Sequence, residues 1–529
     1  MNDVHTWWQR GVIYQIYPRS FLDTDGDGVG DLPGITRALT YLAWLGVDAV
    51  WISPVYPSPM ADFGYDIADH TGIDPRFGTL ADFDALLSEA HRLGLKVILD
   101  YVPNHTSDRH PWFIASRRSV DDPHRHWYVW RDPAADGGPP NNWRSVFGGS
   151  AWTWDAGTRQ YYYHAYLRGQ PDLNWRHAPV SHAMLEVMRF WLDRGVDGFR
   201  IDALRQLVED DHFRDNPPNP DHDPRRGPYH ALLPLYTADR PETLQMVALM
   251  RRLADCYPER VLIGELYLAI DRLMAYYGDN GTGVHLPSNF HLIFVEWHPR
   301  RIAELITAYE AALPAGAWPN WVLGNHDRPR VASRIGRARA RVAAMLLLTL
   351  RGTPTLYYGD EIGMQDVAIP PGLAQDPWEK NVPGLGLGRD PERTPMQWDA
   401  GPNAGFTIGR PWLPLAPDAD VVNVARQRGD AASMLSLHRR LLALRREHPA
   451  FSVGAYELVE VTDDVVVYLR AAGPDRCLVA LNFGGSAQRA LVPPAFRGGT
   501  IVLSTAMERT EETAGRILDL RPDEGVMVA

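Results

Sequence analysis

The chain has 529 residues, 45% of them hydrophobic, which is enough to bury a large core and to form one big domain with one or two smaller ones. Its 53 Lys and Arg against 65 Asp and Glu sum to −12, which argues against a polyanion such as nucleic acid as the partner and leaves neutral ligands open. The only cysteines, Cys256 and Cys477, lie far apart and outside any metal spacing, which argues against a disulfide scaffold or a structural zinc.

The N-terminal stretch Met1 to Gly11 lacks a basic region followed by an apolar one. The apolar run Ala343 to Leu350 is too short to span a bilayer. A cytoplasmic protein with no membrane partner is therefore expected. Short apolar runs then alternate with helical patterns: Val12 to Tyr17, Ala49 to Ile52, Val97 to Tyr101, Gly198 to Ile201, Val261 to Gly264, Asn289 to Val295, Trp321 to Leu323 and Thr355 to Tyr358. Between them lie helix signatures such as Ala81 to Leu93 and Met184 to Asp193, where Met184, Met188 and Trp191 fall three and four apart on one face. Strand and helix in repeated alternation imply parallel strands with crossover helices, and eight such units favour an α/β chain closed as a (β/α)8 barrel over an open sheet.

Three excursions interrupt this rhythm. The aromatic, Gly- and Pro-rich segment 105–174, after the third strand, is too long for an ordinary loop and reads as a small inserted domain over the barrel mouth. Asp210 to Pro228 and Gln365 to Pro414 read as functional loops. After the helix-like stretch Ala432 to Glu447 the pattern turns to strands at Tyr456 to Val461, Val465 to Arg470, Cys477 to Asn482 and Ile501 to Ser504, an antiparallel β-sandwich occupying 451–529. The barrel itself takes 1–104 and 175–450.

Active sites of such barrels sit at the C-terminal strand ends, and three acids stand there. Asp202 closes Gly198-Phe-Arg-Ile-Asp202, Glu265 follows Val261-Leu-Ile-Gly264, and Asp327 ends Gly324-Asn-His-Asp327. Taken alone, Asp202 reads first as the cap of a helix after its strand. Together they suit glycoside hydrolysis, which needs two carboxyls of different pKa across the scissile bond. Arg200, two residues before Asp202, points to the same face of the strand and can keep that carboxylate ionised, as a nucleophile requires. Glu265 has no neighbouring cation in sequence, a setting that raises its pKa and suits a general acid. Asp327, beside His326, is placed to hold sugar hydroxyls.

Asp62-Phe-Gly-Tyr65, Asp100-Tyr-Val-Pro-Asn-His105, Gly198 to Asp202, Gly264-Glu265 and Asn325-His-Asp327 closely resemble, in this order, the successive motifs of glycoside hydrolase family 13, the α-amylase family. Tyr14-Gln-Ile-Tyr-Pro-Arg-Ser20 and Arg393-Thr-Pro-Met-Gln-Trp398 resemble its α-glucosidase and oligo-1,6-glucosidase branch. The resemblance implies a retaining double displacement, with Asp202 attacking the anomeric carbon, Glu265 as acid and base, and Asp327 stabilising the transition state. It implies that Asp62, Tyr65, His105, Arg200, His326 and Arg393 line the subsite for the non-reducing glucose. An Asp62 to Arg393 ion pair is expected to close that pocket and make the enzyme exo-acting.

The loop Asp23-Thr-Asp-Gly-Asp-Gly-Val-Gly-Asp31 sets Asp23, Asp25, Asp27 and Asp31 and the Val29 carbonyl around a hard cation, Ca2+ or Mg2+, in a structural role after the first strand. Ala203, just after the nucleophile candidate, leans the linkage toward α-1,4, since the family tends to carry Val there for α-1,6 links. A glucosyltransferase or isomerase of the trehalose synthase or sucrose-cleaving type shares the same intermediate. A non-catalytic barrel, as in the heavy chains of amino-acid transporters, is disfavoured, because all three acids are kept.

Overall fold

The computed structural model describes residues 5–529. The first four residues of the stretch read for a leader lie outside the described residues. Eight parallel strands close into one barrel: β1 Ile13–Ile16, β2 Ala49–Ile52, β3 Lys96–Tyr101, and, after an insertion, β7 Gly198–Ile201, β8 Val261–Gly264, β9 Leu286–Asn289, β10 Asn320–Val322 and β11 Thr353–Tyr357. The register runs Ile13 to Ala49, Ala49 to Lys96, Ile98 to Gly198 and Gly198 to Val261, and β11 closes on β1.

Local signals set the helix ends. Asp31 caps helix Leu32–Leu45 by accepting from Gly34 N–H, and Gly46 ends it at φ 104°, a conformation that favours glycine. Thr79 and Asp82 form a capping box on helix Leu80–Arg92. In helix Ala178–Arg194 the expected stripe Met184, Met188 and Trp191 is fully buried.

The sixth strand differs from the sequence reading. It is Leu286–Asn289, and most of the apolar run that follows is a short helix, His291–Phe294, started by Asn289 Oδ1 accepting from His291 N–H. Periodicity does not separate strand from helix over so short a run. The true strand hides behind Pro287, Ser288 and Asn289, whose polarity the barrel interior absorbs.

Within 105–174 lies an antiparallel sheet, β4 Trp130–Arg131, β5 Trp152–Asp155 and β6 Gln160–Tyr163, in the order β4-β6-β5. Asp172 ties this segment to the barrel, accepting from Ala165 N–H and from Asn104 Nδ2. Asp172 and Glu209 are both buried, and burial raises both carboxyls, Glu209 to about 8, with Glu209 adding to the rise at Asp172. The folded pKa thus exceeds the unfolded value, so the native state keeps a proton that the unfolded chain releases. The associated stability is complete below about pH 4.3 and is lost as pH climbs through about 8. A Glu209→Gln variant should lose less thermal stability than the parent between pH 6 and 9, by on the order of 3 kcal/mol. Melting curves at both pH values read it.

The C-terminal strands are β12 Ala455–Val461, β13 Val465–Ala472, β14 Asp475–Asn482, β15 Gln488–Leu491, β16 Ile501–Ser504, β17 Ile517–Leu520 and β18 Gly525–Val528. They form a five-stranded sheet, β12-β13-β14-β18-β16, and a two-stranded one, β15-β17. Alternation explains the sandwich. Val465, Val467, Leu469, Leu478 and Ala480 pack toward Leu518 and Leu520, whereas Val466, Tyr468, Cys477, Val479 and Leu481 join the main core. The reading missed β15, β17 and β18, which are only four residues each. Buried Arg445 and Arg470 fasten the sheet to the barrel through carbonyls alone, including Leu348, Leu350 and Phe451 for Arg445 and Thr349, Phe451 and Gly454 for Arg470. Among the described residues no helix is long and apolar enough to cross a membrane. Both cysteines are free.

Candidate active site

The strand ladders set the acids. Asp202 N–H donates to the Tyr101 carbonyl (2.8 Å) and Glu265 N–H to the Ile201 carbonyl (3.0 Å), so each carboxyl leaves the sheet one residue past its strand. Asp327 comes later, on a turn where its N–H donates to Asn325 Oδ1 (3.0 Å). All three line one pocket at the C-terminal end of the barrel, together with Asp62, Tyr65, His105, Phe147, Tyr166, His326 and Arg389. The substrate residues expected from sequence are thereby brought together, except for Arg200 and Arg393, which lie behind the wall.

Arg200 is the buried hub of the acids. Its Nη1 donates to Asp202 Oδ1 (2.5 Å) and to Asp100 Oδ1 (2.9 Å), and its Nη2 stands 3.0 Å from Glu265 Oε1. The view that Glu265 lacks a neighbouring cation is therefore corrected. The cation is absent in sequence but present in space, because β7 and β8 are adjacent. The expectation that Arg200 alone keeps Asp202 low also changes. Burial lifts the Asp202 carboxyl well above the usual aspartate range; Arg200 opposes this, while the Glu265 and Asp100 charges add to it. One guanidinium faces three carboxyls.

Ala203 sits at φ 48°, ψ 29°, in the left-handed region that a residue with a Cβ rarely adopts. The turn aims its N–H at Glu265 Oε2 (2.8 Å), fixing the second acid relative to the first.

His326 bridges Gln15 Nε2 (2.7 Å) and the Tyr65 hydroxyl (2.8 Å), and Tyr65 in turn donates to Asp100 (2.9 Å). Its ring lies at 2° to that of Tyr65 with centroids 5.4 Å apart. Burial holds His326 neutral, and it lowers His105 to about 4. Tyr65 and His326 thus form one flat, hydrogen-bonded wall. His105 reaches the Tyr65 carbonyl (3.0 Å) and Gln170 (3.1 Å).

The pair that closes the pocket is not Asp62 with Arg393. Arg389 donates to Asp62 (2.7 Å), to Asp327 (3.1 Å) and to Asp376 (2.8 Å), while Arg393 donates to Asp327 (2.8 Å) and to the His326 carbonyl (2.7 Å). The short helical turn Asp390–Arg393 separates the two guanidiniums, sending Arg389 to the pocket wall and Arg393 behind Asp327. Burial works against charge on Asp327, yet the guanidiniums of Arg389 and Arg393 hold its carboxyl far below the usual range. Arg389 carried no sequence signal beyond its place in the excursion Gln365 to Pro414. Phe147 and Tyr166 were hidden among the insert's many aromatics; Phe147 packs under the Arg389 guanidinium at 4.9 Å, and the Tyr166 hydroxyl donates to Gln206 (2.5 Å).

A model of the α-amylase catalytic domain matches residues 15–454 of the chain. The chain belongs to the α-amylase family. Within that family it is 43% identical over 502 residues to a probable α-glucosidase of Rhizobium meliloti, covering 92% of this chain and 91% of that protein. It is 38% identical over 514 residues to an oligo-1,6-glucosidase of Parageobacillus thermoglucosidasius, covering 90% of each. Among solved structures, an α-glucosyl transfer enzyme superposes with a TM-score of 0.93 at 41% identity, covering 99% of both chains. A trehalulose synthase variant superposes with a TM-score of 0.91 at 34% identity, covering 99% of this chain and 100% of that one.

Away from the pocket, the carboxylates of Asp23, Asp25 and Asp27 offer oxygens all within 4.8 Å of one another. Asp23 is braced by N–H groups of Asp25, Gly26 and Gly28, while Asp25 and Asp27 each turn one oxygen onto the loop backbone and leave the other outside these bonds. Such a hard-oxygen set fits a cation of calcium or magnesium type. Of the four expected carboxylates, Asp31 is not gathered with them. The Asp31 carboxylate instead accepts from Gly34 N–H, as the helix cap, and from Thr24.

Proposed function

We propose that the chain is an exo-acting, retaining α-glucosidase that releases α-glucose from the non-reducing end of short α-glucosides, chiefly α-1,4-linked ones such as maltose. The observation that carries this reading is the convergence of Asp202, Glu265 and Asp327 on one pocket walled by the Asp62 and Arg389 ion pair.

In this reading Asp202 attacks the anomeric carbon, and the C–O bond to the leaving sugar breaks as Glu265 hands its proton to that oxygen. Water then attacks the glucosyl ester, Glu265 takes its proton, and Asp202 departs. Arg200 meets the three carboxyls with a single charge and holds them as one cluster. The Nη1 bonds to Asp202 and Asp100 favour the charged form of the nucleophile. Asp327, ionised by its guanidinium neighbours, attracts the positive charge that builds on the ring. Tyr65 and His326 supply the flat face against the sugar. Arg393 acts through Asp327 and not on the sugar.

A second reading, transfer of glucose to another sugar or an isomerase step, follows from the likeness to the α-glucosyl transfer enzyme and the trehalulose synthase, and it uses the same intermediate. A proton NMR time course with maltose separates the two. α-Glucose as the earliest new anomer supports hydrolysis with retention; dominant new glycosidic signals support transfer, and β-glucose overturns retention.

Asp23, Asp25 and Asp27 would hold a structural calcium or magnesium ion far from the chemistry. Chelation should lower the melting temperature by several degrees and leave kcat nearly unchanged, with recovery on adding calcium back. The free thiols accord with a cytoplasmic site of action.

A further inference from the structure

At the opposite end of the barrel from the pocket, below β3, β7 and β8, lies a second cavity of about 280 Å3 lined by His91, Gly94, Leu95, Lys96, Asp197 and Arg260. Its floor is Asp197, 1% exposed. Asp197 Oδ2 accepts from Val97 N–H (2.9 Å) and meets His91 Nε2 (2.7 Å); Oδ1 accepts from Lys96 Nζ (3.2 Å) and lies 3.6 Å from Arg260 Nη1. Two permanent cations and an imidazole thus face a single carboxylate, in a chain whose net charge is −12.

Arg260 is the least satisfied member. Its Nη1 donates to the Pro258 carbonyl (3.0 Å), and its Nε is buried without a hydrogen-bond partner. The carbonyls at the end of helix Leu80–Arg92 do not compensate, since those of Glu89, Ala90 and His91 already accept from Leu93, Gly94 and Leu95 N–H groups. Gly94, at φ +78°, leaves its side of the cavity open, with nothing within 4 Å of where a Cβ would stand.

We propose that this cavity binds a tetrahedral oxyanion of the phosphate type, free or as the phosphate of an ester, held by Lys96 and Arg260 with His91 as a third donor. The donors come from a helix end, the first residue of β3 and the residue before β8, so they approach from different directions. A tetrahedral anion accepts from such a set more fully than a planar carboxylate, and Arg and Lys are its usual partners. The same three strands carry Asp100, Asp202 and Glu265 at or just past their upper ends, so a bound anion would clamp the strands that hold the acids without touching the sugar.

The test uses the full-length protein with saturating glucose, at ionic strength fixed with chloride, titrated calorimetrically with inorganic phosphate and separately with glucose 6-phosphate. Saturable binding is expected, weakened at least tenfold in Lys96→Gln and in Arg260→Gln, while both variants hydrolyse an aryl α-glucoside within twofold of the parent. Tighter binding of the ester than of free phosphate would assign the natural ligand to phosphate esters, and equal or weaker binding to the free anion; either supports the site. The exposed His91→Gln variant, expected to bind about threefold more weakly, keeps the test open should a substitution at half-buried Lys96 or Arg260 unfold the chain. No detectable binding, or binding unchanged across the variants, overturns the proposal.

Discussion

Asp202→Asn should fold normally and lose hydrolysis of maltose by about 10^4-fold or more, because the proposed mechanism has this carboxylate carry the glucosyl ester. Stability should not fall with activity: the substitution removes one of three carboxyls competing for Arg200, so the melting temperature should hold or rise. Glu265→Gln should behave differently. With maltose its loss should approach that of Asp202→Asn; with an aryl glucoside, whose leaving group needs little protonation, most of the first step should survive, and added azide should accelerate turnover by replacing water. The parent enzyme carries a pH signature of the same cluster. Because burial and neighbouring charges raise the Asp202 carboxyl, kcat/KM should fall on the acid side at a pH clearly above the ordinary aspartate value of about 3.9. An acid limb at or below that value would mean that Arg200 dominates the cluster after all.

The difference between what could be read beforehand and what could not is a matter of adjacency. Asp202, Glu265 and Asp327 were legible because each follows a short apolar run, and a barrel brings all such ends to one face. The pairing of Arg200 with Glu265 was not, because it depends on β7 and β8 lying side by side, a relation that no spacing along the chain encodes. The same holds for Arg389, whose partners Asp62 and Asp327 are 327 and 62 residues away. The acidic loop was legible as a cluster of hard oxygens, but the position of Asp31 was not, since an aspartate there caps the following helix. The sixth strand failed for the converse reason: its residues are polar and contain a proline, and only burial on both faces makes a strand of them.

Arg389 offers the sharpest separation between the expected and the observed pocket wall. Arg389→Met should leave Asp62 and Asp376 buried without their cation, which costs about 3 to 5 kcal/mol and should lower the melting temperature markedly. Asp62 already sits above the usual carboxylate range through burial, with Arg389 foremost among the groups opposing it, so the variant should bind a proton there at neutral pH. Affinity for the terminal glucose should fall at least tenfold in KM, and attack should extend to internal bonds of maltooligosaccharides, giving maltose or longer products where the parent gives glucose. Arg393→Met should act on another quantity. It supports Asp327 and the His326 carbonyl from behind, so kcat should drop while products stay confined to glucose. Product analysis on maltopentaose for both variants decides the matter: confinement retained in Arg389→Met and lost in Arg393→Met would return the closing role to Arg393, against the geometry of the ion pairs.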